Sequence, residues 1–103
     1  MTALVSIWLG LTLCVAAGLK AWQIVANSER AVAIELLAGA QAIEFLAPLE
    51  PGRGARAAYE HIRTLSPRLR DDRSLSSDIE AVADSVRDGS LLAAVEAEIG
   101  ELE

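Results

Sequence analysis

Between Thr2 and Leu19 no side chain carries a charge, and no proline occurs before Pro48. An uncharged, mostly apolar run of this length suits a short membrane span, an export signal or a helix buried inside a protein. Without proline, nothing in the backbone stops a helix from running almost unbroken from Thr2 to about Ala47. Composition points the same way. The chain is 52% hydrophobic but only 4% aromatic, so Ala and Leu, both strong helix formers, supply most of its apolar surface. An all-α chain is predicted, with one long N-terminal helix followed by three shorter ones.

Within the long helix, Val25, Val32, Leu36, Ile43 and Ala47 recur at helical spacing and define one apolar face. Gly39 and Ala40 lie on or beside it, where small side chains let a second helix approach closely. Ile34 and Leu37 fall on other sides, so the segment is apolar over more than half its circumference and suits the middle of a bundle. Large exposed apolar surface drives association. Self-association, or union with a missing portion of a larger protein, is therefore expected through the helix 20–47, with the stretch Leu36–Ile43 exposed in the isolated chain.

Pro48, Pro51, Gly52 and Gly54 end this helix and turn the chain. The Gly-x-Gly follows a helix rather than a strand and lacks a third glycine, so it is not a phosphate loop. A second helix is expected from Ala55 to about Leu65, with Ala55, Ala58, Tyr59 and Ile62 on one face, ended by Ser66-Pro67. Ser77 and Glu80 have the capping-box spacing, which predicts a third helix to about Asp88. Gly89 suits the left-handed position beyond it. Ser90 is then expected to cap a last helix through Leu91, Leu92, Val95 and Ile99.

Residues that carry chemistry are almost absent. The net charge is −6, and no basic stripe with interleaved aromatics offers a grip on phosphate backbones, which argues against a nucleic-acid partner. His61 is the lone histidine, with no metal-ligand or nucleophile spacing around it, and it reads as a surface or packing residue. Cys14 sits in the apolar run with no base nearby and reads as a packing residue. Asp71 and Asp72 read as complements to a helix dipole. Glu96, Glu98, Glu101 and Glu103 read as a solvated helix and tail. No residue is assigned a catalytic, cofactor-binding or metal-ligating role.

One resemblance emerges from several stretches taken together. The features are Asn27-x-x-Arg30, the run Ala33-Ile-Glu-Leu-Leu-Ala-Gly-Ala-Gln41, Pro48-Leu49 after the helix, and Asp72-Arg73-x-Leu75-x-x-Asp78-Ile79. In order and spacing, residues from about 20 to 90 resemble the C-terminal end of the histidine ammonia-lyases, of the aromatic amino acid lyase superfamily. The resemblance implies a bundle element at 20–47 with C-terminal helices packed outside it. Its parent reaction would be deamination of L-histidine to urocanate and ammonia, carried out by homotetramers. That chemistry uses a methylidene-imidazolone formed from an internal Ala-Ser-Gly, together with a catalytic tyrosine. Neither transfers to this sequence. The nearest string, Ala16-Ala17-Gly18, lacks the serine, and Tyr59 matches no catalytic position.

The family's Gln-Glu-Asp-His-Val-Ser-Met-Gly stretch would precede Lys20, where the apolar run stands instead. The resemblance thus divides the chain into an unmatched apolar segment, 1–19, and a lyase-like helical region, 20–103. It implies a truncated or interrupted reading, inactive alone and cytoplasmic. The other reading is a small single-pass membrane protein. Trp8 and Trp22 would be its interface anchors, and Lys20 and Arg30 would place the tail in the cytoplasm. An export signal fits poorly because no basic residue precedes the run.

Overall fold

The computed structural model describes residues 1–102, and the expected tail position Glu103 lies outside them. Four helices follow one another: α1 (Thr2–Phe45), α2 (Arg53–Leu65), α3 (Ser76–Asp88) and α4 (Ser90–Ile99). The all-α expectation holds, with the long first helix and three shorter ones. α1 stops at Phe45, two residues before the expected end, and α2 starts at Arg53 rather than Ala55.

With its 44 residues, α1 dominates the shape. The molecule extends 72 Å along its longest axis and its radius of gyration is 19.7 Å, against about 13 Å for a compact chain of this length. The cause is that only the C-terminal half of α1 has partners. Residues 2–25 are exposed along their whole length, and partial burial begins at Ala26. From there α1 lies mainly against α3, α2 lies mainly against α4, and weaker contacts between these pairs close the bundle.

The buried stripe of α1 runs through Ala26, Glu29, Ala33, Leu36, Leu37 and Ala40. It lies about one residue away from the face that the large apolar residues marked. Val25 and Val32 are 52% and 42% exposed, whereas Ala33 is fully buried. Ala47 is exposed as well. The reason is steric. Ala33 and Ala40 meet Val82, Ala83 and Ile62 in the core, and a methyl group on α1 lets α3 come close where a valine would hold it off. Leu36 and Ile43 are half-buried flanks of this seam, so the exposed apolar surface lies mainly upstream of them rather than at 36–43.

The other helices follow their patterns more closely. Ile62 is buried and Ala58 and Tyr59 are partly so, while Ala55 faces out. Gly54 lies where α2 meets α4, and a Cβ there would rest in van der Waals contact with Ile99 Cδ1 at 3.4 Å. The α3–α4 corner turns on Gly89, at φ +81° in the left-handed region, as expected for a residue without a Cβ penalty.

Two expected caps do not form. α3 begins at Ser76, one residue before the Ser77 that was to cap it, and no side chain caps its N-terminus. Glu80, needed to fold back in a capping box, instead pairs with Arg30 of α1 at 2.7 Å. The ion pair between helices wins over the local box. The acidic residue in the first turn is Asp78, not Asp71 or Asp72, which are exposed in the preceding loop. Ser90 is the first residue of α4 rather than its cap. Its N–H donates to Asp88 Oδ1 at 2.8 Å, and its hydroxyl lies 2.8 Å from Ser85 Oγ.

Because the seam depends on methyl-sized side chains, Ala33→Leu is expected to lower stability by about 1–3 kcal/mol through overpacking. Val32→Ala, one residue away on the exposed side, is expected to change it by less than about 0.5 kcal/mol. Urea unfolding followed by circular dichroism at 222 nm (the α-helix band) separates the two.

Candidate functional site

The densest polar chemistry gathers where α1 ends against α2. Gln41 and Glu44 sit one turn apart on α1, and Tyr59 and Arg63 one turn apart on α2. Glu44 is the centre. Its side chain is only 8% exposed, and its Oε1 accepts bonds from the Tyr59 hydroxyl at 2.7 Å and from Arg63 Nε at 2.8 Å. Arg63 also donates to the Gln41 side-chain oxygen and the Ser66 carbonyl, each at 3.2 Å, and its guanidinium stands 5.7 Å from the Tyr59 ring centre. Arg68 Nε lies 2.9 Å from Oε2, although that oxygen accepts no aligned hydrogen bond. Arg68 therefore contributes charge rather than direction.

Burial pushes the Glu44 carboxyl up, but the Tyr59 bond and the Arg63 and Arg68 charges outweigh it and hold the group below the usual carboxylate range. Both guanidiniums are committed to this one carboxylate. The cluster is a fully ionised strut between two helices.

A second buried carboxylate fixes the loop into α3. Asp78 Oδ2 accepts the Ser66 hydroxyl at 2.5 Å and Arg73 Nη2 at 2.7 Å, and Arg73 also donates to the Pro67 carbonyl at 3.0 Å. The Arg73 bond, then the Ser66 bond, lowers the Asp78 pKa against the opposing effect of burial. The loop between these two struts forms one wall of a cavity of about 240 Å³, against Ile34, Leu37 and Ala38 of α1 and Ile79 of α3. Its floor is apolar. Arg63 and Arg73 also line it, yet each already faces its own carboxylate. The cavity can seat an apolar side chain, but it presents no free charge or nucleophile to a substrate.

His61 has a partner that the sequence did not reveal. Its Nε2 lies 2.7 Å from Ser85 Oγ, and Ser85 Oγ is in turn 2.8 Å from Ser90 Oγ. A histidine beside a serine is a possible base and nucleophile. Here Ser85 is buried and its hydroxyl is shared between His61 and Ser90, so no substrate carbonyl can reach it. The chain His61–Ser85–Ser90 ties α2, α3 and α4 together. Tyr59 serves Glu44, Cys14 is exposed on the free half of α1, and no group of three His, Cys, Asp or Glu side chains among the described residues converges as a metal site.

The sequence reading missed Gln41, Glu44, Arg63 and Arg68 as site residues. The stacked pairs Gln41/Glu44 and Tyr59/Arg63 could have shown two polar faces, but not that they meet.

Because both carboxylates have folded pKa values below their unfolded ones, each contributes stability that is complete above the usual carboxylate range and lost as pH falls below that range and through the lowered folded value. The urea midpoint is expected to drop below about pH 4. Asp78→Asn should cost about 1–3 kcal/mol at neutral pH, and it should flatten that acid limb, as should Glu44→Gln. An acid limb unchanged in both variants would contradict these roles.

Comparison with known proteins finds similarity to one part of several histidine ammonia-lyases. It is 51% identical over 84 residues to the histidine ammonia-lyase of Symbiobacterium thermophilum, covering 82% of this chain and 17% of that protein. With the histidine ammonia-lyase of Gloeobacter violaceus it shares 48% over 84 residues, 82% and 16% of the two chains. With that of Myxococcus xanthus it shares 49% over 79 residues, 77% and 16%. The chain thus spans about one sixth of the length of these relatives. No protein-family model matches it, and no solved structure does.

Proposed function

The chain carries a segment of the histidine ammonia-lyase family, and we propose that this segment is the C-terminal helical part of such an enzyme. On this reading it supplies packing surface rather than catalysis, and it acts only with the remaining portion provided by another chain. The observation that carries the reading is the commitment of the polar side chains in the two struts. Glu44 and Arg63 hold α1 to α2, Asp78 and Arg73 fix the loop into α3, and beside the struts His61 and Ser85 join α2 to α3. A bundle of this kind braces a site built elsewhere.

The electrophile of the parent family does not fit the residues present. It requires Ala-Ser-Gly, and Ala16-Ala17-Gly18 lacks the serine and lies within the unbroken, exposed α1. No step of the deamination is therefore routed through this chain. The partner would be the missing lyase portion, or further copies of the chain, and would cover the exposed side of helix 20–47, including Val25, Val32 and Ile34. The bundle would reside in the cytoplasm.

Co-expression tests this directly. A histidine ammonia-lyase lacking its C-terminal helices, produced together with this chain, is expected to convert L-histidine to urocanate, detected by ultraviolet absorbance. Each piece alone is expected to give none. Urocanate formed by this chain alone would overturn the structural role, and no urocanate from a pair that co-purifies would overturn the complementation.

A further inference from the structure

We propose that residues 2–19 of α1 insert into a lipid bilayer and hold the bundle just outside the headgroups. The inference is independent of the lyase reading. The uncharged run from Thr2 to Leu19 spans about 27 Å at the helical rise, close to the roughly 30 Å of a hydrocarbon core. None of it is buried within the protein.

Its surface is uncharged all round. Leu4, Ile7 and Leu11 mark one side, Val5, Leu9 and Leu13 another, all more than half exposed, and the small residues Ser6, Gly10, Cys14 and Gly18 form the stripe between them. A helix that docks in a protein groove keeps a polar back, and a second copy of α1 would cover only one stripe. Lipid covers every side. The two hydroxyls within the run beyond its first residue are already satisfied. Ser6 donates its hydroxyl to the Thr2 carbonyl at 3.0 Å, and Thr12 to the Trp8 carbonyl at 2.7 Å, so neither carries an unmet donor into a medium without water.

Charge begins at the C-terminal end of the run, where Lys20 is followed by Trp22, a pairing suited to the headgroup layer. Packing of the bundle starts at Ala26, about 10 Å further along the helix axis, which carries it past an interfacial layer of roughly 5–8 Å. The next charged residues, Glu29 and Arg30, pair with Arg87 and Glu80 of α3, on the aqueous side. With a net charge of −6, the chain gains nothing from anionic lipid. Its attachment rests on the apolar run.

The full chain, synthesised in the presence of neutral phosphatidylcholine vesicles, is expected to float with them and to stay bound in high salt. Trp8 lies about 9 Å into the run, well inside it rather than at the interface expected for it. With Trp22→Phe leaving Trp8 as the sole tryptophan, bromines deep in the acyl chains should therefore quench it more than shallow ones. With Trp8→Phe, the order at Trp22 should reverse. Leu11→Arg should reduce flotation by about tenfold or more, while Val32→Arg, outside the run, should leave it unchanged. A chain that stays at the bottom of the gradient, a Trp8 insensitive to deep bromines, or equal flotation of Leu11→Arg would overturn the proposal.

Discussion

The fold rests on the close seam between the second half of α1 and the helices beside it. Ala33 and Ala40 present only methyl groups to Val82, Ala83 and Ile62, so the backbones approach and small side chains make the core. Little apolar area is buried this way, and ion pairs along the seam supplement it. Arg30 to Glu80 and Arg87 to Glu29 join α1 to α3, and Arg63 to Glu44 joins α2 to α1. The exposed pairs each contribute little. Glu44 and Arg63, largely shielded from water, set the register in which the alanines meet. A small change of helix rotation would separate Glu44 from Tyr59 and Arg63 and bring Val32 into the seam.

That arrangement explains why α1 behaves as two helices in one. Downstream of Ala26 its periodic small residues and alternating charges suit a protein neighbour. Upstream its only charged side chain is Lys20, and no helix of the chain packs there.

The helix count, the Pro48–Gly54 break and the left-handed Gly89 were legible because each is a local property of a few residues. The long-range choices were not. Val25 and Val32 are the larger apolar residues and draw attention, yet the packing face is decided by what α3 tolerates, and that is an alanine. Ser77 and Glu80 have a capping spacing, but Arg30, fifty positions from Glu80 in sequence, claims the carboxylate. His61 read as inert because Ser85 is 24 residues away, and no local pattern announces a helix-to-helix bond. Gln41, Glu44 and Arg63 were passed over as site residues, and Tyr59 was read only as part of the apolar face of α2. Their convergence was a property of the fold.

Hydrogen exchange of the full chain, resolved by peptide, tests most directly the claim that the alanine seam organises the bundle. Amides of 26–45 are expected to exchange as one protected unit with those of α2 and α3, and Ala33→Arg should release all three together. Protection of α2 and α3 that survives Ala33→Arg, or free exchange of 26–45 in the unaltered chain, would contradict it.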